Sequence, residues 1–222
     1  MKSVVLLDHD GVLVDTERWY FEAGRRALAD VGVTLDLDDY LADMALGRGT
    51  WARAREAGVD EATIDRARVA RDAYYQQFLR TEDIEIACVE ATLAELARHA
   101  RLAVVTTSKR ADFELIHHDR HLLDHVELVL VREDYEHAKP HPEPYLTALQ
   151  RLGVEPHEAL VVEDSARGLA SAVAAGLDCA VVHHPFTASQ DLSRATHRIG
   201  SLGEVISLLR ASRSGRGGAE QA

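Results

Sequence analysis

The sequence predicts an α/β fold: a parallel sheet with helices on both faces, carrying an inserted all-helical module. Three observations predict it. Short continuous apolar runs recur at 4–7, 102–105, 128–131, 160–162 and 180–182, each ending in polar residues and each followed by a helical pattern. Continuous runs of this length suit strands buried on both faces, and strands alternating with helices imply parallel pairing. The stretch from about 16 to 83 has no such run, and apolar residues make up 46% of the 222, enough for a sizeable core.

The elements follow in order. VVLL at 4–7 forms the first strand and runs into DHDGVLVDT, residues 8–16. In the insertion, Trp19, Ala23, Ala27 and Val31 share one helical face and Gly32 ends that helix. Leu37, Tyr40, Leu41 and Met44 mark a short helix; Ile64, Ala67, Arg71, Tyr74 and Phe78 mark a longer one. Their aromatic stripes are read as helix–helix core rather than as pocket lining. Pro142 and Pro144 open a helix that Gly153 closes, and Ser165 caps another that Gly176 closes. From Ser212 the chain is rich in Gly and Ser without apolar periodicity, which predicts a disordered tail. The expected division is a core of 1–15 and 84–211, a helical module of 16–83 and a tail of 212–222.

Composition narrows the function. A net charge of −12 argues against a nucleic-acid groove, which needs clustered Lys and Arg. The apolar run in MKSVVLL is too short for a signal-peptide core or a membrane span, so a cytoplasmic protein is expected. The two cysteines, Cys88 and Cys179, form no CxxC pair. Lys2, Lys109 and Lys139 are the only lysines among 25 basic residues.

In a parallel sheet ligands sit beyond the carboxyl ends of the strands, so the polar residues after each run should converge. They are Asp8 and Asp10, 106–108, and Glu163 and Asp164. Residues two apart in extended chain share a face, so Asp8 and Asp10 should meet in one pocket. Two such carboxylates repel unless a cation lies between them or one keeps a proton; either solution suits phosphoryl transfer. Gly11 permits a sharp turn, and His9, on the alternate face, is expected to point away from both carboxylates, as a structural residue or one that supports the site from behind, not a metal ligand. His117, His121 and His125 are spaced to share a helix face, yet no acidic or Cys partner lies at zinc-ligand spacing.

From Val4 to about Leu209 the sequence resembles the haloacid dehalogenase superfamily, in the subclass with a helical cap after the first motif. DxDG at Asp8–Gly11, Thr106 in LAVVTTSK, Lys139 in HAKPHPEPY and the acidic pair in EDSARG carry the resemblance. It implies a Rossmann-like core and a phosphoric monoester hydrolase in which Asp8 is the nucleophile and Asp10 the acid–base. Thr106 and the Thr107 backbone N–H would hold the phosphoryl oxygens, and Lys139 would offset their charge. Mg²⁺ would be bound by Asp8, the Asp10 carbonyl, Asp164 and Glu163. The expected partner is a small phosphorylated metabolite, with no nucleic acid or membrane, in a monomer or homodimer.

Phosphonate hydrolysis and dehalogenation do not fit, because the cap has no lysine and Asp10 is present. A phosphosugar mutase like β-phosphoglucomutase shares all four motifs and is the rival reading. Where that group carries a cap His and a Gly-x-Ser-Arg run, this chain has Tyr20 and Gly47–Thr50, with Arg48 displaced. These departures favour hydrolysis of a sugar, polyol or glycolate phosphate, with Tyr20 and Arg48 as expected substrate contacts. A non-catalytic binding protein would lack a motif residue, and none is lost. The segment IACVEATLAEL, 86–96, lacks the Pro–Gly common there in relatives.

Overall fold

A computed structural model describes residues 2–214, with side chains to 211. Its sheet has six strands, all parallel: β1 (Val4–Leu7), β2 (Arg101–Val105), β3 (Val126–Leu130), β4 (Ala159–Glu163), β5 (Asp178–Val182) and β6 (His197–Ile199). Their spatial order is β3-β2-β1-β4-β5-β6. The order reverses beside β1, which pairs with β2 on one side and β4 on the other, Leu7 lying opposite Val104 and Val162. That reversal is where a doubly wound sheet opens a crevice at its carboxyl edge.

The β1 side chains show why the strand is continuously apolar. Val5 and Leu7 pack into a cluster with Leu93, Leu96 and Leu209, from α5 (Val89–Leu96) and α9 (Glu204–Ser214). Val4 and Leu6 pack oppositely, with Tyr145 and Leu149 of α7 (Glu143–Leu152) and Leu169 of α8 (Ala166–Ala174). All four are fully buried, each contributing about 1.5–3 kcal/mol.

Four helices lie between β1 and β2 ahead of α5: α1 (Glu17–Ala29), α2 (Leu37–Ala45), α3 (Ala52–Glu56) and α4 (Glu61–Thr81). They enclose a cluster of Phe21, Leu28, Leu35, Tyr40, Trp51 and Ile64 that no strand residue enters. Of the expected α1 stripe, Ala23 and Ala27 are fully buried, and Trp19 stacks on Phe78 of α4 at 5.4 Å. Asp36 and Asp60 cap α2 and α4 through the N–H groups of Asp39 and Thr63. Ser165 caps α8 by accepting from Gly168 N–H at 3.1 Å, and Gly153 ends α7 in the left-handed region.

Three expectations on elements change. β6 has no counterpart among the apolar runs: it is a three-residue edge strand, and only Ile199 of its side chains is buried. The five residues of α3 are too few to register as periodicity. Residues 212–214, assigned to the tail, continue α9, and 215–222 lie outside the described residues.

Cys88, at the α5 N-cap, has φ 64° and ψ 8°, a left-handed conformation that costs a side chain roughly 1–2 kcal/mol. It lies in the segment where Pro–Gly was missed, and it is exposed. Cys88→Gly is expected to raise stability by roughly 0.5–1 kcal/mol, because relief of strain exceeds the added unfolded-state entropy. Thermal denaturation should show a rise in Tm of about 2 °C; a fall would refute the strain.

Candidate active site

The strand ends converge as expected. Asp8 follows β1 directly, its N–H bonded to the Val162 carbonyl of β4 at 2.8 Å. The chain then turns: Leu13 N–H reaches the His9 carbonyl and Gly11 N–H the Val14 carbonyl, both at 2.8 Å. Gly11 sits at φ 79°, and a methyl there would overlap the Asp164 carboxylate. Glu163 ends β4 and Asp164 comes next; both are buried. A methyl at Gly168, the third residue of α8, would overlap the Glu163 carboxylate, which explains the glycine of EDSARG.

Lys139 joins these groups. Its Nζ donates to Asp8 Oδ1 at 2.6 Å, Glu163 Oε1 at 2.6 Å and the Val105 carbonyl at 2.8 Å, using all three ammonium protons. The peptide bond from Lys139 to Pro140 is cis. Tyr145 Oη donates to the same Glu163 oxygen at 2.7 Å, and the ammonium lies 4.8 Å over its ring. Burial would lower the Lys139 pKa, but the carboxylates of Asp8 and Glu163 hold it above its ordinary value.

Asp8, Glu163 and Asp164 each offer a ligand oxygen within 4.8 Å of the others, all three buried. Burial, reinforced by the Glu163 charge, pushes the Asp8 carboxyl up to about 7. The same two causes, then Asp8, push Asp164 well up. Three buried carboxylates face one ammonium, so keeping all of them ionised calls for a further cation. A compact all-oxygen group with surplus charge fits a hard divalent cation such as Mg²⁺.

Asp10 is differently placed. Its carboxylate accepts from the Thr16 hydroxyl and from Ser108 Oγ at 2.5 Å, with Thr106 Oγ1 3.5 Å away. Burial would raise its pKa, but the His9 ring and the Ser108 and Thr16 hydroxyls hold it low. The Asp10 side chain is therefore not in the acidic cluster; its expected metal contact was through the backbone carbonyl. The expected direction of His9 is corrected: it is fully buried, with Nδ1 3.4 Å from Asp10 Oδ2 and Nε2 2.9 Å from His117 Nε2. Face alternation does not reach it, because β1 ends at Leu7 and the chain turns from residue 9.

Thr106 follows β2 and accepts from Ser108 N–H at 3.0 Å; it does not cap α6 (Arg110–His117), whose N-cap is Lys109. Thr107 lines the cleft beside it. That cleft, about 830 Å³, is walled by the strand ends and the start of α8 on one side and by α1, α2, α4 and residues 46–51 on the other. Tyr20 and Arg48 both line it. The Tyr20 hydroxyl accepts from Arg71 Nη1, and Arg48 is engaged by Glu56 and, at 3.5 Å, by Asp43.

Several lining residues had no sequence signal. Ser108 follows the second motif without an expected role of its own, and Arg71 sits on a helical stripe that reads as core. Glu17, whose Oε1 accepts from Tyr40 Oη at 2.7 Å, opens α1 like any helix-start acid. The spacing of His117, His121 and His125 brings nothing together, because α6 ends at His117 and the other two are exposed beyond it. His184 lies 3.3 Å from Asp15 and 4.0 Å from Asp164. Among the described residues no helix is long and apolar enough to cross a membrane.

Comparison with known proteins places the sequence and the fold. Residues 5–182 fit the sequence model of the haloacid dehalogenase-like hydrolases. Protein CbbY of Rhodobacter capsulatus is 30% identical over 212 residues, 90% of this chain and 93% of its own. The fructose-1-phosphate phosphatase YqaB of Escherichia coli is 28% identical over 183 residues, 78% of this chain and 93% of its own. The crystal structure of CbbY from Rhodobacter sphaeroides in complex with phosphate superposes with a TM-score of 0.76 at 25% identity, covering 92% of this chain and 96% of that one. An acidic cluster at the carboxyl edge of a 3-2-1-4-5-6 parallel sheet, within a match spanning most of the sequence, places the chain in the haloacid dehalogenase-like hydrolase family.

Proposed function

We propose that the protein is a Mg²⁺-dependent phosphatase that hydrolyses a small phosphate monoester, a sugar, polyol or glycolate phosphate, through an aspartyl-phosphate on Asp8. The observation that carries this reading is the buried set of Asp8, Glu163 and Asp164 around one lysine at the floor of an open cleft. Named phosphatases among the relatives support the substrate class.

Asp8 attacks phosphorus in line and the leaving alkoxide departs with a proton from Asp10. Asp10 then takes a proton from the water that hydrolyses the acyl phosphate. The partners of Asp10 favour its ionised form, as the second step requires; an arriving phosphoryl anion raises its proton affinity for the first. Thr106 and the Thr107 N–H hold phosphoryl oxygens, and Lys139 offsets their charge. Asp8, Glu163, Asp164 and the Asp10 carbonyl would hold Mg²⁺, which supplies charge stabilisation to the transferring group. Residues 16–83 form a cap over a core of 1–15 and 84–211.

The test is release of phosphate from p-nitrophenyl phosphate and from a panel of phosphorylated metabolites. Turnover is expected to vanish with EDTA and return with Mg²⁺; turnover insensitive to chelation would overturn the reading. In the cleft Arg48→Ala and Arg71→Ala are each expected to raise KM on the best substrate about tenfold, the worth of one charge-assisted hydrogen bond. An unchanged KM would remove that arginine from the substrate's contacts.

A further inference from the structure

The segment that delivers Lys139, HAKPHPEPY at 137–145, alternates in burial. Lys139 is buried, while His137 and His141 on either side are exposed. Their rings face each other with centroids 4.6 Å apart and planes inclined by 32°. Glu143, the first residue of α7, completes the group. Its Oε2 lies 2.8 Å from His137 Nδ1 and 3.9 Å from His141 Nδ1. One ligand atom from each of the three residues lies within 4.8 Å of the others.

The framework of this group is fixed by bonds that involve no ligand. The Glu143 carboxylate accepts the backbone N–H groups of Glu136 and His137, each at 2.8 Å. The His141 carbonyl accepts from Ser171 Oγ at 2.6 Å, and the Lys139 carbonyl from Arg167 at 3.0 Å. His141 Nδ1 accepts the Glu143 N–H at 3.2 Å, a bond that ligation through Nε2 retains and ligation through Nδ1 exchanges.

We propose that His137, His141 and Glu143 bind one divalent transition-metal ion, of the Zn²⁺ or Co²⁺ kind, separately from the acidic cluster. Metal–nitrogen and metal–oxygen bonds of about 2.1 Å put adjacent donors roughly 3 Å apart, close to the His137–Glu143 separation. Two imidazoles and a carboxylate select first-row transition ions, whereas the all-oxygen cluster around Asp8 selects Mg²⁺. Water fills the remaining positions on this exposed face. The bound ion ties 137 to 141 and 143, across the residue that carries the buried ammonium, and so holds the Lys139 turn closed from outside.

The experiment is a Co²⁺ titration of the full-length chain in excess Mg²⁺, followed by calorimetry and by the visible absorption of the bound ion. One equivalent is expected to bind and to raise Tm by several degrees. His137→Ala and His141→Ala should each weaken binding about tenfold or more while matching the parent's Tm in EDTA, since both side chains are exposed. Asp164→Asn should leave Co²⁺ binding unchanged. Parent-like Co²⁺ affinity in both histidine variants, or loss of the Co²⁺ equivalent in Asp164→Asn, would overturn the proposal.

Discussion

Asp8→Asn is expected to lower phosphate release by about 10⁴-fold or more while leaving the fold in place. The variant keeps the shape of the side chain and removes the carboxylate that serves as nucleophile in the proposed two-step reaction. Stability should change little. Burial and the Glu163 charge already push Asp8 up to about 7, so the amide replaces a group that is partly neutral near physiological pH. Lys139 trades one charged acceptor for the neutral amide oxygen and keeps Glu163 and the Val105 carbonyl. Single-turnover phosphate release and thermal denaturation check the two halves separately. Retained turnover would defeat the nucleophile assignment, and collapse of the fold would show that the aspartate is needed structurally.

Lys139→Met should fail in both respects. It removes the one cation between Asp8 and Glu163 and orphans the Val105 carbonyl, all in a buried site. Breaking such a pair costs about 3–5 kcal/mol, and the low end applies here because Asp8 takes a proton readily. At this chain length that lowers Tm by about 10 °C. Turnover should fall about 10³-fold as the charge facing the phosphoryl group disappears. Lys109→Met supplies the contrast: that ammonium pairs with Asp72 at 2.5 Å but is half exposed, so less than about 1 kcal/mol is expected. Equal losses from the two lysines would mean that burial does not set the strength of these pairs.

The sheet was legible because β1, β2, β4 and β5 are buried on both faces and their sequences are continuous apolar runs. Where burial is partial the signal weakens: β3 begins two residues before the predicted run, and β6 presents His197 and Arg198 beside a single buried Ile199. The residues brought to the cleft floor were legible for a related reason, since each directly follows or ends a strand, or sits in the short Lys–Pro segment. Ser108, Glu17 and Arg71 were not. Helical periodicity tells which face of α4 turns inward, and it does not tell whether inward means packed core or open cleft. Arg71 lies on the same stripe as Ile64, yet Ile64 is sealed and Arg71 lines the cleft. The one local rule that failed at the site, the direction of His9, failed because extended geometry stops one residue too early.

The position of β1 has a consequence for how the enzyme diversifies. Asp8 is anchored to a central strand whose four side chains are locked between two packed layers, while α1–α4 have an apolar centre of their own. The aim of the proposed nucleophile is thus set from within the sheet, whereas much of the wall that greets a substrate belongs to a separate packing unit. Changes in that part of the wall can retune which molecule is admitted without disturbing Asp8, so selectivity and reactivity can drift independently.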